Sequence, residues 1–487
     1  MLHWDKFNRL SMQAKRSQFI TLITVFFFWG FVAASNDILI PVFKEKLHLE
    51  QWQSQLISVA FYVAYTVGSI LYILLSKLNG GDILNKLGYK NGIALGLTIS
   101  AVGTLLFYPA AEMVSFGLMI SGLFIVALGF SLQQTAANPL VIVMGESSKG
   151  SQRLSLAGGI NNVGTTIGPL VVSFAIFGQV GSGLKLNDIG AVKFPYLILG
   201  AAFLIVAVIF KMSNLPNQIF NDEDAKDAPQ TKTRSGSLKY PQLSLGMLAI
   251  FLYVGVEVST ASNLPEYMKQ YIHIETSQAA PYISLFWASL MIGRWTGSAG
   301  AFTTSGQIKS VLRFIMPYLA FGVFMLVNAI AKSDLTVFYP YVFVILVMII
   351  ADMMSGGNPA RQLLIYSLCG IAALVTGMIS SGLMSVYAFI SVGLFCSTLW
   401  PCIFTLAIAG LGKFTNQGSS YLIMMIMGGG LVSWLQGWLA GSNLLGIKYS
   451  YVVGVMCFTY LAFYGWKVKG ILKQQDIDLS APQNLSH

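Results

Sequence analysis

Two carboxylates sit where a carboxylate is costly. Asp37 falls in the apolar run 19–43, and Glu257 in the run 244–268. An ionisable side chain inside a membrane helix costs at least about 2.5–3.5 kcal/mol on insertion scales, so each is a candidate functional residue. Asp37 lies four residues before Pro41, in the outer part of its run. It reads either as an interfacial carboxylate capped by water or as a cavity-facing acid that exchanges a proton or helps hold a sodium ion. Glu257 has apolar neighbours on both sides, in Tyr253-Val254-Gly255-Val256-Glu257-Val258. It reads as a deep proton carrier and sugar ligand, or as a structural acid paired to a neighbouring helix. Amides surround these acids in the sequence. Gln133-Gln134-Thr135-Ala136-Ala137-Asn138-Pro139 and Asn161-Asn162 lie in apolar runs, with Asn36 beside Asp37 and Asn263 six residues past Glu257. An amide both donates and accepts, which suits the hydroxyl groups of a sugar. Gln134 and Asn138 are four apart and share a helix face. Amides also join membrane helices to one another, so each has a packing reading too. Trp29, Trp287 and Trp400 lie within apolar runs. Their rings fit the apolar face of a sugar, or anchor helices at the membrane interface.

The elements that must position these groups follow from composition. Of 487 residues, 55% are hydrophobic and 10% charged, against about 25% charged in an ordinary soluble domain. Disorder and a soluble enzyme are both excluded by that balance. The net charge is +10, but the Lys and Arg form short clusters between apolar runs, with no basic stripe interleaved with aromatics, so no nucleic acid partner is expected. Cys369, Cys396, Cys402 and Cys457 lie in apolar runs without CxxC spacing, and the four histidines are scattered. No metal site is expected from them. No nucleotide motif or other cofactor signature is present.

A bilayer needs about twenty apolar residues per helix. Runs of that length occur at 19–43, 54–78, 92–111, 116–144, 155–178 and 195–213. After a polar stretch come 244–268, 279–302, 311–331, 337–354, 362–381, 383–409, 418–440 and 449–468. The expectation is an all-α membrane protein with fourteen transmembrane helices and a retained first helix. Residues 1–18 form a cytoplasmic N-terminal segment, 19–213 a six-helix bundle, 214–243 a cytoplasmic linker, 244–469 a second bundle and 470–487 a cytoplasmic tail. Basic residues collect at the N-terminus, Lys77/Lys86/Lys90, Lys149/Arg153, the linker, Lys309/Arg313, Arg361, Lys413 and Lys467/Lys469/Lys473. All share one side if fourteen spans cross, which makes both termini cytoplasmic. Glu146, Arg153, Arg294, Asp352 and Arg361 fall near cytoplasmic helix ends and read as groups that pair across loops and hold an inner gate. Phe28-Trp29-Gly30 and Tyr253-Val254-Gly255 echo each other between the halves. Two duplicated bundles around a midplane site are the plan of the major facilitator superfamily.

Within that superfamily the chain resembles the fucose–galactose–glucose symporter family, and is closer to its glucose/galactose branch. The resemblance rests on Asn36-Asp37-Ile38-Leu39-Ile40-Pro41, Pro109-Ala110-Ala111-Glu112, Thr135-Ala136-Ala137-Asn138-Pro139, Glu146-Ser147-Ser148, Gly293-Arg294, Gly418-Ser419-Ser420 and Gly428-Gly429-Gly430. The superfamily's loop motif is present in degenerate form as Gly81…Asn85-Lys86-Leu87-Gly88-Tyr89-Lys90, with Asn85 at the usual Asp. The resemblance implies Asp37 as a coupling acid. It places Gln134 where the fucose member has a Glu, and Gly158 where that member has a Gln. The membrane acid then stands at Glu257 instead, and Asn161 matches a substrate-binding amide. It also implies a monomer without cofactor. About fifty residues between Gly293-Arg294 and Asn358-Pro359-Ala360-Arg361 exceed the family's short loop. They read as an inserted two-helix hairpin, about 305–356, on the outside of twelve core helices, with no need to touch the site.

The function expected is import of a hexose of the glucose, galactose or mannose type by proton symport across a bacterial inner membrane. Sodium coupling, uniport and a transport-free sugar sensor are the alternatives. A membrane-embedded transferase is a further rival, but it would carry catalytic groups in sizeable loops, and these loops are short.

Overall fold

The computed structural model describes residues 17–32, 51–144, 149–177, 193–215, 217, 236–274, 279–299, 301, 306–330, 334–441 and 444–477. Among them there is no strand. In hydrocarbon every backbone N–H and C=O must be satisfied within the chain, and a helix does this inside one segment. The long helices are α1 (Ser17–Val32), α2 (Gln51–Leu78), α3 (Tyr89–Glu112), α4 (Phe116–Val143), α5 (Gly150–Phe177), α6 (Lys193–Met212), α7 (Pro241–Ile272) and α8 (Ala280–Gly297). After these come α9 (Gln307–Ile330), α10 (Thr336–Ser355), α11 (Pro359–Ile379), α12 (Gly382–Ile408), α13 (Thr415–Leu439) and α14 (Gly446–Gln474). Eleven of these segments are long and apolar enough to cross a membrane; α1 is shorter, and α5 and α8 complete the series. The chain is a multi-pass integral membrane protein.

Helix ends carry identifiable stops. Ser115 caps α4 by accepting from Leu118 N–H, and Asn358 caps α11 by accepting from the N–H groups of Ala360 and Arg361, which satisfies donors that the first turn leaves free. Gly356 ends α10 in the left-handed region at φ 64°. Pro241 opens α7 at a position where its missing N–H has no consequence. The helix thus begins a little before the linker was expected to end. One face of the molecule gathers Lys77 and Lys211 at the ends of α2 and α6, and Lys473 at the end of α14; this is called the basic end below.

Both halves are built on a close crossing of their first helix with a glycine-bearing partner. Gly30 of α1 lies on the Asn161 carbonyl of α5, and Gly164 of α5 lies on the Phe27 carbonyl of α1. In the second half, Gly255 of α7 lies on Val432 of α13, and Gly428 of α13 lies on the Phe251 carbonyl of α7. The Gly30/Gly255 echo in the sequence is therefore an echo of packing: small residues let two backbones approach where apolar solvent offers no hydrophobic drive. The best-buried span is α12. It breaks at Ser397–Thr398. Pro401 stands four residues after Ser397 and has no N–H to return to that carbonyl.

An added methyl at Gly164 would collide with the Phe27 carbonyl, whereas nothing lies within 4 Å of one added at Gly322. Gly164→Ala should lower stability by about 1–3 kcal/mol through overpacking. Gly322→Ala should leave it unchanged or raise it, since Ala favours helix over Gly by up to about 1 kcal/mol. Thermal unfolding of the detergent-solubilised protein followed by fluorescence-detected gel filtration checks both signs.

Candidate functional site

Arg294 is the hub of a polar cluster where the two halves meet. Its guanidinium cannot be neutralised and needs acceptors. Nε donates to the Ser397 carbonyl at 3.0 Å, the group that Pro401 leaves free. Nη1 donates to Asn162 Oδ1 at 2.7 Å and to the Gly158 carbonyl at 3.3 Å. Nη2 lies 3.5 Å from the Tyr253 hydroxyl, which in turn donates to Glu257 Oε2. Glu257 and Arg294 are thus joined through a phenol rather than by direct ion pairing. The acceptors on α5 belong to the first half, and those on α12 and α7 to the second. Gly158 and Gly159 make the approach possible: a Cβ on Gly158 would stand 3.1 Å from Arg294 Cδ, and one on Gly159 would stand 2.7 Å from Trp295 Cδ1. Trp295 Nε1 donates to the Gly159 carbonyl at 3.4 Å. Arg294 stands in the last turn of α8, and its long side chain reaches the interface between the halves. Trp400 joins the cluster, its ring centroid 6.2 Å from that of Tyr253. Trp287 is 36% exposed. It lies two turns before Arg294 on the same face of α8, about 10 Å along the axis.

The amides divide. Gln133 is fully buried; its Oε1 accepts from Trp29 Nε1 at 2.6 Å, and its Nε2 donates to Ser100 Oγ at 3.0 Å. Both ends of that amide and the tryptophan N–H are occupied inside the first half. Gln133 and Trp29 therefore hold helices of the first half together. Gln134 Nε2 donates to Tyr65 Oη at 3.0 Å and is only half-buried. Asn161 Nδ2 donates to the Phe26 carbonyl at 2.9 Å. Asn138 Nδ2 is buried without a partner. Asn263 turns back to the Ser259 carbonyl of its own helix at 2.8 Å. It does not share a face with Glu257, from which it is six residues removed. Asn36, Asp37 and Glu146 lie outside the described residues.

A second set of bonds fastens the halves between this cluster and the basic end. Asn416 of α13 donates to Asn85 Oδ1 at 3.1 Å and accepts from the Tyr89 hydroxyl. Ser419 Oγ donates to the Thr135 carbonyl at 3.0 Å, which Pro139, four residues on, leaves without its helical donor. Ser420 Oγ donates to the Ser69 carbonyl at 3.2 Å, and Thr66 Oγ1 to the Met424 carbonyl at 3.1 Å. Gly429 lies against Tyr62. Lys86 and Lys90 take no part in these cross-links: they donate to the Asn79 and Ser213 carbonyls within the first half. Arg153, almost wholly buried, donates to the Val141 and Ile142 carbonyls and so closes the end of α4. Arg361 is exposed. Among the described residues, hydrogen bonds between helices of the two halves reach from the basic end as far as Thr66 and Asn162. Each stands twelve residues from the basic end of its helix, about 18 Å along it.

Tyr65, Tyr253, Ser397 and Asn416 were not evident as site residues in the sequence. For Ser397 a signal existed in Pro401, which marks the carbonyl four residues earlier as needing an outside donor.

A family model described as Major Facilitator Superfamily matches residues 21–377. The glucose/galactose transporter of Brucella abortus is 32% identical over 447 residues, covering 91% of this chain and 92% of that one. The L-fucose-proton symporter of Escherichia coli is 28% identical over 465 residues, covering 92% of each. The solved structure of FucP, a transporter of the superfamily, in its outward conformation superposes with a TM-score of 0.69 at 26% identity, covering 93% of this chain and 99% of that one. Transporters, not enzymes, make up this family. The chain belongs to the major facilitator superfamily and, within it, to the fucose–galactose–glucose symporter family, on the side of its glucose/galactose transporters.

Proposed function

We propose that this protein imports a hexose of the glucose, galactose or mannose type by proton symport, through alternating access of two bundles. The observation that carries the reading is the Glu257–Tyr253–Arg294–Asn162 relay. It joins an acid inside a membrane helix to the bonds that hold the two halves together. A charged Glu257 draws the guanidinium toward α7. A protonated Glu257 leaves that charge to Asn162 and the Gly158 carbonyl of α5. Proton uptake and release then change how firmly the bundles are held, which is what coupling requires. Asp37 is the second coupling acid. The sugar is held by Gln134, Asn138 and Asn161, with Asn36, Asn162, Glu257 and Trp287 at its edges.

The architecture proposed is fourteen crossings: twelve core helices, with α9 and α10 as an added hairpin at about 305–356. The bundles are 19–213 and 244–469, joined by the linker 214–243. The basic end faces the cytoplasm, with both termini there, because positive loops are retained on that side. Shut at its basic end, the molecule is then outward-facing, in agreement with its likeness to outward FucP. The membrane is the bacterial inner membrane and the working unit a monomer.

Purified protein in liposomes should accumulate one of glucose, galactose, mannose or fucose above equilibrium under an inward proton gradient. Accumulation under a sodium gradient alone would assign sodium instead, and equilibration under both would make the protein a uniporter. Binding without uptake would make it a sensor.

Glu257→Gln and Asp37→Asn should each abolish gradient-driven accumulation while sugar exchange between preloaded vesicles and medium persists. Arg294→Lys keeps the charge but loses the planar fork that reaches Ser397, Gly158 and Asn162 together. Bonds to charged groups are worth about 1.5–3 kcal/mol each, so initial uptake should fall about tenfold or more, measured over the first seconds at fixed gradient.

A further inference from the structure

We propose that the inserted hairpin α9–α10 is a lock on the closed basic end, acting through the buried pair Arg313–Asp352 and the amide of Gln362. This rests on the movement of two bundles and on neither the sugar nor the coupling ion. In the sequence the hairpin reads as an outer addition remote from the site. In the structure a polar thread runs from it through the second half to the first. Arg313 Nε of α9 lies 2.9 Å from Asp352 Oδ2 of α10, with Asp352 1% exposed. Charge holds that contact, since its N–H is not aligned as a hydrogen bond. The other carboxylate oxygen accepts from Gln362 Nε2 of α11 at 3.1 Å. Gln362 Oε1 accepts from the Cys402 thiol of α12 at 3.5 Å, and Cys402 Sγ lies 3.6 Å from Ser151 Oγ of α5. Gln362, Cys402 and Ser151 are all buried.

A second contact runs beside the thread. A Cβ on Gly357, in the turn that leaves the hairpin, would stand 2.9 Å from Gln152 Nε2 of α5. It would also stand 3.4 Å from Lys309 Nζ and 3.8 Å from Arg313 Nη2 of α9. The left-handed pair Gly356–Gly357, at φ 64° and 79°, lets the chain pass between these side chains. The hairpin's cations and the first residues of α5 therefore meet over one glycine, at the end where the bundles must part for a sugar to leave.

The physical logic is fixation of an amide. A glutamine beside a thiol is free to turn; one whose N–H₂ is held by a buried, charge-paired carboxylate is not. Asp352 is kept in place by Arg313 because an uncompensated carboxylate there would be costly. Gln362 then presents Oε1 to Cys402, and α12 keeps its register against Ser151.

The test uses native Cys402 as reporter. In a Cys369→Ala, Cys396→Ala, Cys457→Ala background, Cys402 is shielded while the basic end is shut and exposed when it opens. The rate of its alkylation by N-ethylmaleimide is measured in sugar-free proteoliposomes. Asp352→Asn and Gln362→Leu should each speed alkylation at least fivefold. Arg313→Lys, which keeps a positive charge opposite Asp352 and leaves its carboxylate to accept from Gln362, should hold the rate within twofold of the background. Gln362→Leu leaves no charge unpaired, so it decides the matter if Asp352→Asn does not fold. A folded, monodisperse Gln362→Leu protein alkylated within twofold of the background overturns the proposal, and so does an Arg313→Lys protein as fast as Asp352→Asn. Both readings stand apart from sugar uptake, so failure of the hexose assignment does not produce them.

Discussion

A guanidinium stays charged wherever it is placed, so a chain that puts one between its two halves must supply the acceptors there. Arg294 draws them from three helices, and the arrangement of those helices follows. On α12, Pro401 removes a backbone donor and frees the Ser397 carbonyl. On α5, glycines at 158 and 159 bring a backbone carbonyl within reach where any side chain would crowd the arginine. On α7, a tyrosine one helical turn from Glu257 stands between acid and base. The Tyr253 hydroxyl donates to Glu257 and lies beside Arg294, so acid and base share a phenol rather than a direct ion pair.

Proline recurs as a means of fastening. Pro139 frees the Thr135 carbonyl and Ser419 of the opposite half donates to it; Pro401 frees the Ser397 carbonyl and Arg294 donates to that. A helix in hydrocarbon otherwise has no spare acceptor along its length. Proline creates one at a fixed position, four residues back, and the partner's hydroxyl or guanidinium makes it directional. The two cross-links differ in strength accordingly, since a bond to a charged donor outweighs a neutral one.

The long apolar runs were legible in the sequence, because apolar length is imposed by the bilayer and needs no tertiary information. The inward amides were legible as a set but not by role. Gln133 and Gln134 are adjacent and chemically the same, yet one is consumed by Trp29 and Ser100 while the other meets Tyr65. Neighbouring residues on a helix point 100° apart, and which direction faces a partner helix depends on its rotation in the bundle. Arg294 is a related case, a charge beside a helix end whose partners the sequence does not name. Residue number locates a Cα, and a side chain as long as arginine's carries its charge away from that height. The echo of Gly30 in Gly255 was legible as a likeness of letters; its meaning as a pair of close helix crossings needed the partners on α5 and α13.

Among the described residues, the hydrogen bonds between the halves near the basic end include neutral ones: Asn416 to Asn85 and Tyr89, Ser419 to Thr135, Ser420 to Ser69 and Thr66 to Met424. Each contributes about 0.5–1.5 kcal/mol net, so together they hold the end shut by several kcal/mol. That is within what differential binding of a small ligand can shift. Cross-bundle ion pairs in the same places would leave buried charges behind on opening, at about 3–5 kcal/mol for each broken pair. Among the described contacts, the charge pair Arg313–Asp352 lies between α9 and α10, where it need not separate when the halves part. Arg294 differs: its acceptors stand on α5 of the first half and on α12 and α7 of the second, so its bonds are charged ones that a parting of the two halves must break.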